Sequence, residues 1–168
     1  DCTTSFSLGS DRSKSQKYVE FLEDIGFKVK ISYGDTTSAE AHVASKYFVL
    51  LLQQLGFKTG TLNKDVPDWI FDLSHDLQYE FLMGFIDADG SVLKTGGWMF
   101  SGINKRLIER MQNIANRIGF FSGKITVHEN SGISYWGGKC HPFVYEVSVR
   151  RDSRMAKKNN EVVSEKIF

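Results

Sequence analysis

The sequence is poor in cysteine, in proline and in long apolar runs. Its 168 residues include only 2 Cys and 2 Pro. Two cysteines are too few for a disulfide framework, so we expect a reducing compartment, either the cytoplasm or an organellar matrix. The longest apolar run, Tyr47–Leu52, is far shorter than the ~18 residues that a membrane-spanning helix needs, and residues 1–15 show no signal-peptide pattern. No membrane partner is therefore expected.

The rest of the composition is that of an ordinary globular protein, but its charge is unevenly distributed. Hydrophobic residues make up 41% and charged residues 24%, which suits one core or two small ones. Residues 1–90 carry 8 Lys/Arg against 14 Asp/Glu, a net charge of −6, whereas residues 91–168 carry 13 against 6, a net charge of +7. The basic half favours a polyanionic partner such as nucleic acid, although an ordinary solvated surface has the same pattern.

A weak internal repeat runs through most of the chain. Phe6–Phe27 and Phe100–Phe120 both open with Phe-Ser, pass a polar turn and close a helix on Ile-Gly-Phe. Apolar residues recur at i, i+3, i+4 and i+7 in both helices, and alternating strands follow each of them. These strands are predicted at residues 28–31, 39–44, 124–127 and 144–149. The repeat predicts two copies of an α+β unit, with antiparallel sheets that carry helices on one face.

Two aspartates at the end of a further predicted helix form a candidate site. This helix begins at its cap residue Ser74 and runs to about Asp87, and Asp89 follows. Because the C-terminal end of a helix carries partial negative charge, acids there cost about 0.3–1 kcal/mol each. A bound divalent cation would reverse this penalty, since carboxylate and carbonyl oxygens are the ligands that Mg²⁺ prefers. An Asp-Gly turn after a buried helix explains the same residues equally well.

The residues around these aspartates resemble a known signature. Leu82–Gly90 is similar to the motif of the LAGLIDADG homing endonucleases, and Met83 and Phe85 are the departures beyond like-for-like exchanges. Upstream, Lys64–Pro67 resembles the segment between the two halves of intein-type members. Downstream, two strands, a helix and a hairpin follow in the family's order, so the resemblance covers most of residues 6–150.

The resemblance implies an α+β fold whose sheets lie over the major groove of double-stranded DNA, and a site-specific endonuclease that cuts both strands. It implies that Asp89, with the carbonyl group of Ala88, holds Mg²⁺ or another divalent cation, whereas Asp87 structures the helix end. Lys64 corresponds to a basic residue near the active centre, and a plain linker lysine is the alternative. The alternative function is a catalytically inactive nucleic-acid-binding relative, such as an intron maturase or a DNA-binding regulator.

The chain departs from the family pattern because it contains a single motif. Residues 1–63 are predicted to form an incomplete first unit without a motif helix, and residues 64–168 a second unit that carries the motif. A second copy of the chain, as a homodimer, or another polypeptide would supply the missing helix, or the sequence is a piece of a longer protein, such as an intein. The predicted interface is Phe81, Gly84 and Phe85, since a glycine inside a helix suggests a close crossing. The two phenylalanines alternatively cover the chain's own sheet.

Alternation along the strands predicts a DNA-binding face. The side chains predicted to face the helices are Val29, Ile31, Val127, Val147 and Val149. The opposite face would then carry the groups that contact base edges and phosphates in the major groove. These candidate DNA-binding residues are Lys28, Lys30, Ser32, Lys124, Thr126, His128, Glu146, Ser148 and Arg150. An ordinary solvated sheet face is the alternative for each of them.

Overall fold

The structure of the protein, a computed structural model, describes residues 2–8, 12–33, 39–94, 96–130 and 140–151. The helices in these ranges are α1 (Arg12–Asp24), α2 (Lys46–Gln54), α3 (His75–Asp89) and α4 (Lys105–Arg117), with a 3-10 turn at Asp68–Asp72. The strands are β1 (Thr3–Ser7), β2 (Val29–Tyr33), β3 (Ala39–Ala44), β4 (Gly90–Val92), β5 (Trp98–Gly102), β6 (Phe120–Ser122), β7 (Thr126–Glu129) and β8 (Phe143–Arg151). None of the described helices is long and apolar enough to cross a membrane.

The first sheet has the strand order β1-β3-β2, and both strand pairs are antiparallel. Its inner face buries Ala41 and Val43 of β3, which alternate with more exposed neighbours as the period of a strand requires. Helix α1 packs on this face through Val19 and Leu22, three residues apart on one side of the helix, and α2 adds Phe48. The first unit therefore has a small core of its own.

The second sheet contains five strands in the order β4-β5-β8-β6, with β7 also paired to β8. All of its pairs are antiparallel. Helix α4 presents Ile108, Met111 and Ile114 to the core, and each of them is at most 1% exposed. Phe100 and Val147 on the inner face of the sheet complete this core together with α3. The predicted α+β fold with antiparallel sheets is confirmed.

Both sheets repeat the same strand arrangement. Phe6 pairs with Ala41 across β1 and β3, and Phe100 pairs with Val147 across β5 and β8, with both phenylalanines directed to a core. The sheets share no strand. The division into units at residues 1–63 and 64–168 stays a prediction, and the two sheets lie on either side of it.

One predicted strand is wrong by two residues. The strand expected at 124–127 lies at Thr126–Glu129, because the chain after α4 forms two short strands, β6 and β7, that pair with different parts of β8. Strand β7 extends along the end of β8 where few helical side chains reach, so Val127 is 50% exposed instead of facing the helices. The other residues predicted to face inward are half-buried or buried, namely Val29, Ile31, Val147 and Val149.

Candidate active site

Helix α3 is fixed at both ends by contacts that its sequence provides. At its start, the hydroxyl oxygen of Ser74 accepts a hydrogen bond from the backbone N–H of Leu77. The buried amide of Gln78 donates to the carbonyl oxygens of Phe71 at 3.2 Å and Leu73 at 2.8 Å, which ties the preceding turn to the helix. The helix continues to Asp89, about two residues beyond the predicted end. Its last turn therefore carries both aspartates of the motif.

One side of α3 packs against the chain's own core. Leu82 and Ile86 are buried, and the ring of Phe85 meets Phe100 of β5 edge-on, with 5.8 Å between the ring centroids. Phe81 is half-buried against the same core. The structure thus places Phe81 and Phe85 on the chain's own sheet, which was the alternative to a subunit interface. Gly84 lies on a different side of the helix.

The two aspartates of the motif have different surroundings. Asp87 is half-buried, and its Oδ2 accepts a hydrogen bond of 2.9 Å from the hydroxyl of Tyr18 on α1. Burial of the phenol, together with this hydrogen bond to Asp87, raises the pKa of Tyr18 to about 12. Asp89 is exposed. Asp87 therefore joins α3 to the first unit, while the carboxylate of Asp89 faces solvent.

An apolar groove of about 310 Å³ lies between α3 and the first unit. The first unit lines it with Phe6, Leu8, Tyr18, Phe21, Leu22 and Phe48, and α3 contributes Gly84, Asp87 and Ala88. A Cβ atom built on Gly84 finds no atom within 4 Å among the described residues. On the second sheet, α3 covers Phe100, whereas the corresponding Phe6 of the first sheet borders this open groove. Among the described residues, no helix covers Phe6 as α3 covers Phe100.

Lys64 lies in an exposed loop that is held against the start of α4. The side-chain N–H₂ of Asn104 donates to the backbone carbonyl oxygens of Leu62 at 3.0 Å and Lys64 at 2.6 Å. Next to it, Arg106 forms an ion pair of 2.8 Å with Asp65. In the described part of the chain, no hydrogen bond or ion pair joins Lys64 to Asp89. The structure therefore fixes the backbone of the loop and leaves the lysine ammonium group in solvent.

The predicted DNA-binding residues lie on the outer faces of the sheets or in the adjoining loops. The exposed ones are Lys28, Lys30, Ser32, Lys124, Thr126, His128, Ser148 and Arg150. Glu146 is half-buried, and its carboxylate lies 3.7 Å from Nε2 of His128. The guanidinium of Arg150 lies 5.5 Å from the centre of the Phe121 ring. Lys124 lies in the loop before β7, and if the register of β7 were continued back by two residues, Lys124 would occupy the place that Lys30 has on β2.

Sequence reasoning missed two polar contacts of the first unit. Tyr18 has the spacing of the apolar side of α1, but a buried tyrosine hydroxyl normally finds a hydrogen-bond partner, and that preference is the signal for its contact with Asp87. His42 was not singled out, although alternation from the buried Ala41 and Val43 places it on the outer face. In both cases the partner is remote in sequence, so only the folded chain identifies it.

The ligands available for a cation are few. No group of three or more His, Cys, Asp or Glu side chains suited to a metal ion occurs within the described ranges. The end of α3 offers one solvent-facing carboxylate, that of Asp89, beside the backbone of Ala88. This set fits Mg²⁺, which is usually bound through one or two carboxylates together with waters and substrate phosphates. The chain therefore contributes part of a metal site that a nucleic-acid substrate would complete.

Comparison with known proteins gives a family match over the second half of the chain. A model of the LAGLIDADG-like domain family matches residues 76–166. The chain is 33% identical over 109 residues to a tRNA-splicing ligase RtcB of Methanopyrus kandleri, a match that covers 57% of this chain and 11% of that protein. It is 32% identical over 80 residues to the iron-sulfur cluster assembly SufBD family protein ML0593 of Mycobacterium leprae, covering 47% and 9%. The chain thus spans about a tenth of the length of these relatives.

Solved structures share the fold. Structures of the homing endonuclease I-DmoI are similar to this chain at 19–20% sequence identity. The complex with DNA and Ca gives a TM-score of 0.53 and covers 90% of this chain and 69% of that chain. The complex with target DNA in the presence of Mg gives a TM-score of 0.52 and covers 88% and 72%. At this identity the likeness shows the fold.

Proposed function

The chain belongs to the LAGLIDADG-like domain family, and we propose on this basis that it is a site-specific DNA endonuclease that uses a divalent cation at the end of α3. The observation that carries the proposal is the contrast between the two motif aspartates. Asp87 is engaged with Tyr18, whereas Asp89 faces solvent at a helix end where an acid without a cation is unfavourable. A pure DNA-binding protein has no use for a carboxylate in this place.

The residues of the chain would divide the reaction among them. Asp89 and the carbonyl group of Ala88 would hold Mg²⁺ or a similar cation, which when bound supplies activation of water and stabilisation of the leaving oxygen. The ammonium group of Lys64 would stabilise the negative charge that develops on the phosphate, because its loop is fixed and its side chain is in solvent. The basic side chains on the outer faces of the sheets would neutralise the DNA backbone and position the duplex.

We also propose that a second motif helix completes the site by docking in the groove beside Gly84. The groove is lined by apolar residues of the first unit, and the open space at Gly84 allows a close helix crossing. The helix would be supplied by a second copy of this chain, by another polypeptide, or by a further segment of a longer protein to which this sequence belongs. Each helix would bring one acid, so the chain alone would cut one strand.

The relatives support a further part of this proposal. RtcB and the SufBD family protein carry unrelated names, and each of them matches this chain over only about a tenth of its own, much greater, length. We propose that the domain occurs as an insertion within longer host proteins, as in inteins. The activities of those hosts would then belong to the sequence around the insertion and not to this chain.

The experiment that tests the proposed function compares the two aspartates. DNA that binds the chain is first selected from a pool of duplexes with a randomised central segment, and its cleavage is then measured with Mg²⁺ and with a chelator. We expect Asp89→Asn to lower cleavage at least ~100-fold with unchanged DNA affinity, because it removes a ligand and not a DNA contact.

Asp87→Asn is the matched control. An asparagine oxygen can still accept the hydrogen bond from Tyr18, so this variant should still cut. Cleavage by Asp89→Asn at the rate of the unchanged chain would refute the assignment of the site. If the chain selects DNA but fails to cut it with any divalent cation, even after a peptide corresponding to the motif helix is added, it is a binding protein.

A further inference from the structure

A polar row crosses the outer face of the first sheet. His42 of the central strand β3 is paired with Ser5 of β1 and with Lys30 of β2, and it reaches Ser32 of β2 diagonally. Its Nδ1 is 2.9 Å from the hydroxyl oxygen of Ser5, and its Nε2 is 2.7 Å from that of Ser32. Glu40 lies on the same strand, with its carboxylate 3.7 Å from Nε2. One imidazole therefore connects hydroxyl groups from both neighbouring strands.

The chemistry of imidazole gives the two hydroxyl groups different roles. A neutral histidine has one N–H donor and one nitrogen acceptor. The serine that accepts from the N–H keeps its own O–H free to donate away from the sheet. The serine that donates to the other nitrogen presents only oxygen lone pairs. Ser5 and Ser32 thus form a pair of one donor and one acceptor, and the tautomer of His42 decides which is which.

Folding does not require this row. The strand registers match Ser5 with Met99, His42 with Ser148 and Ser32 with Thr126 in the second sheet. None of those residues makes a side-chain hydrogen bond to another across the described part of that sheet, which nevertheless has the larger core. The side chain of His42 is 26% exposed and lies outside the buried clusters. The row is therefore a property of the surface of the first unit.

We propose that the hydroxyl groups of Ser5 and Ser32 contact base edges in the major groove and that His42 is the positioning residue that sets their polarity. The inference rests on the proposed DNA-endonuclease function. Serine hydroxyls can pair with either donors or acceptors of a base pair, so a serine alone discriminates poorly. A serine whose proton is committed to His42 discriminates between donor and acceptor positions. The two serines would recognise bases through hydrogen bonds of uncharged hydroxyl groups, whereas Lys30 is expected to contact phosphates through its charge.

The test is a comparison of base preferences. The full chain and its His42→Ala variant each select duplexes from a pool with a randomised central segment, and the selected sequences are determined. We expect His42→Ala to lose about tenfold base discrimination at positions confined to one half of the site. The affinity for random DNA and its salt dependence should stay the same, since every lysine and arginine side chain is kept. Ser5→Ala and Ser32→Ala should each lose part of the same preferences and add little to His42→Ala.

Ser101→Ala on β5 of the second sheet, an exposed serine outside the predicted DNA-binding set, is the matched control, and it should leave those positions unchanged. A thermal melt shows whether each variant folds, and Ser5→Ala serves as the test if His42→Ala does not. If His42→Ala selects the same sequence with the same preferences as the unchanged chain, the inference is overturned while the DNA function stands. If the unchanged chain selects no sequence at all, the proposed function fails and the inference fails with it.

Discussion

Replacing Gly84 with alanine should stabilise the chain while it impairs the completed enzyme. Apart from the backbone of its own helix, the added Cβ atom meets no atom of the described residues within 4 Å, so the substitution creates no clash with them. Alanine is favoured over glycine in a helix interior by up to ~1 kcal/mol, and Gly84 lies in the middle of α3. For a chain of this size, such a gain corresponds to a rise in melting temperature of about 2–4 °C.

Gly90, at the other end of the same motif, provides the matched comparison. A Cβ atom there would lie 2.7 Å from the carbonyl oxygen and 2.8 Å from the Cα atom of Ile86, which are backbone atoms that cannot easily move. Gly90→Ala should therefore lower stability by more than ~1 kcal/mol. Thermal unfolding followed by circular dichroism separates the two substitutions, because their effects have opposite signs.

A larger side chain at position 84 should interfere with cleavage. Gly84→Leu would fill the groove against Phe21 and Phe48. We therefore expect the variant to fold but, with a peptide corresponding to the motif helix added, to cut only one strand where the unchanged chain cuts both. Light scattering should show that the variant is no more associated than the unchanged chain. A Gly84→Ala chain that is less stable than the unchanged one would refute the reasoning, because it would mean that another part of the chain already packs closely on Gly84.

Three further predictions concern a loop, a titration and the DNA contacts. Asn104→Ala should lower the free energy of unfolding, measured by urea denaturation, by about 2 kcal/mol, because it removes both the helix cap at Leu107 and the hydrogen bonds to the loop carbonyl oxygens. Asn104→Asp keeps the cap, so its free energy of unfolding should fall by about half as much. Because the pKa of Tyr18 is raised from 10.0 to about 12, its contribution to the free energy of unfolding is complete below pH 10.0 and is lost as the pH passes about 12. The stability of the unchanged chain should therefore fall across that interval, and that of Tyr18→Phe should fall less. An identical pH dependence of the two proteins would exclude the contact. The affinity for DNA should fall steeply as the salt concentration rises. Replacing Lys30 and Lys124 with alanine should reduce the slope of log affinity against log salt by about 0.9 for each phosphate that is no longer neutralised. A chain whose affinity shows no such slope would not be a DNA-binding protein.

Local patterns in the sequence were sufficient for most elements of the fold. The apolar spacing of α1 and α4 and the alternation of β3 predicted their positions, because burial on one face imposes a period of 3.6 or 2 on the residues themselves. The resemblance of Leu82–Gly90 to a family motif gave the candidate acid Asp89 in the same way. The strand at 124–127 failed because two strands share β8, and a short alternating segment does not specify its register.

The sequence by itself determined the element types, the motif and the charge that favours DNA. Only the tertiary structure decided that Phe81 and Phe85 cover the chain's own core, that Asp87 is bound by Tyr18, and that the face of Gly84 borders a groove. These outcomes depend on which residues meet across large separations along the chain. Residues 18 and 87 are 69 positions apart, and no local preference of either one encodes such a contact. The fold brings α1 close enough to α3 for this hydrogen bond, which distinguishes two aspartates that look equivalent in the sequence.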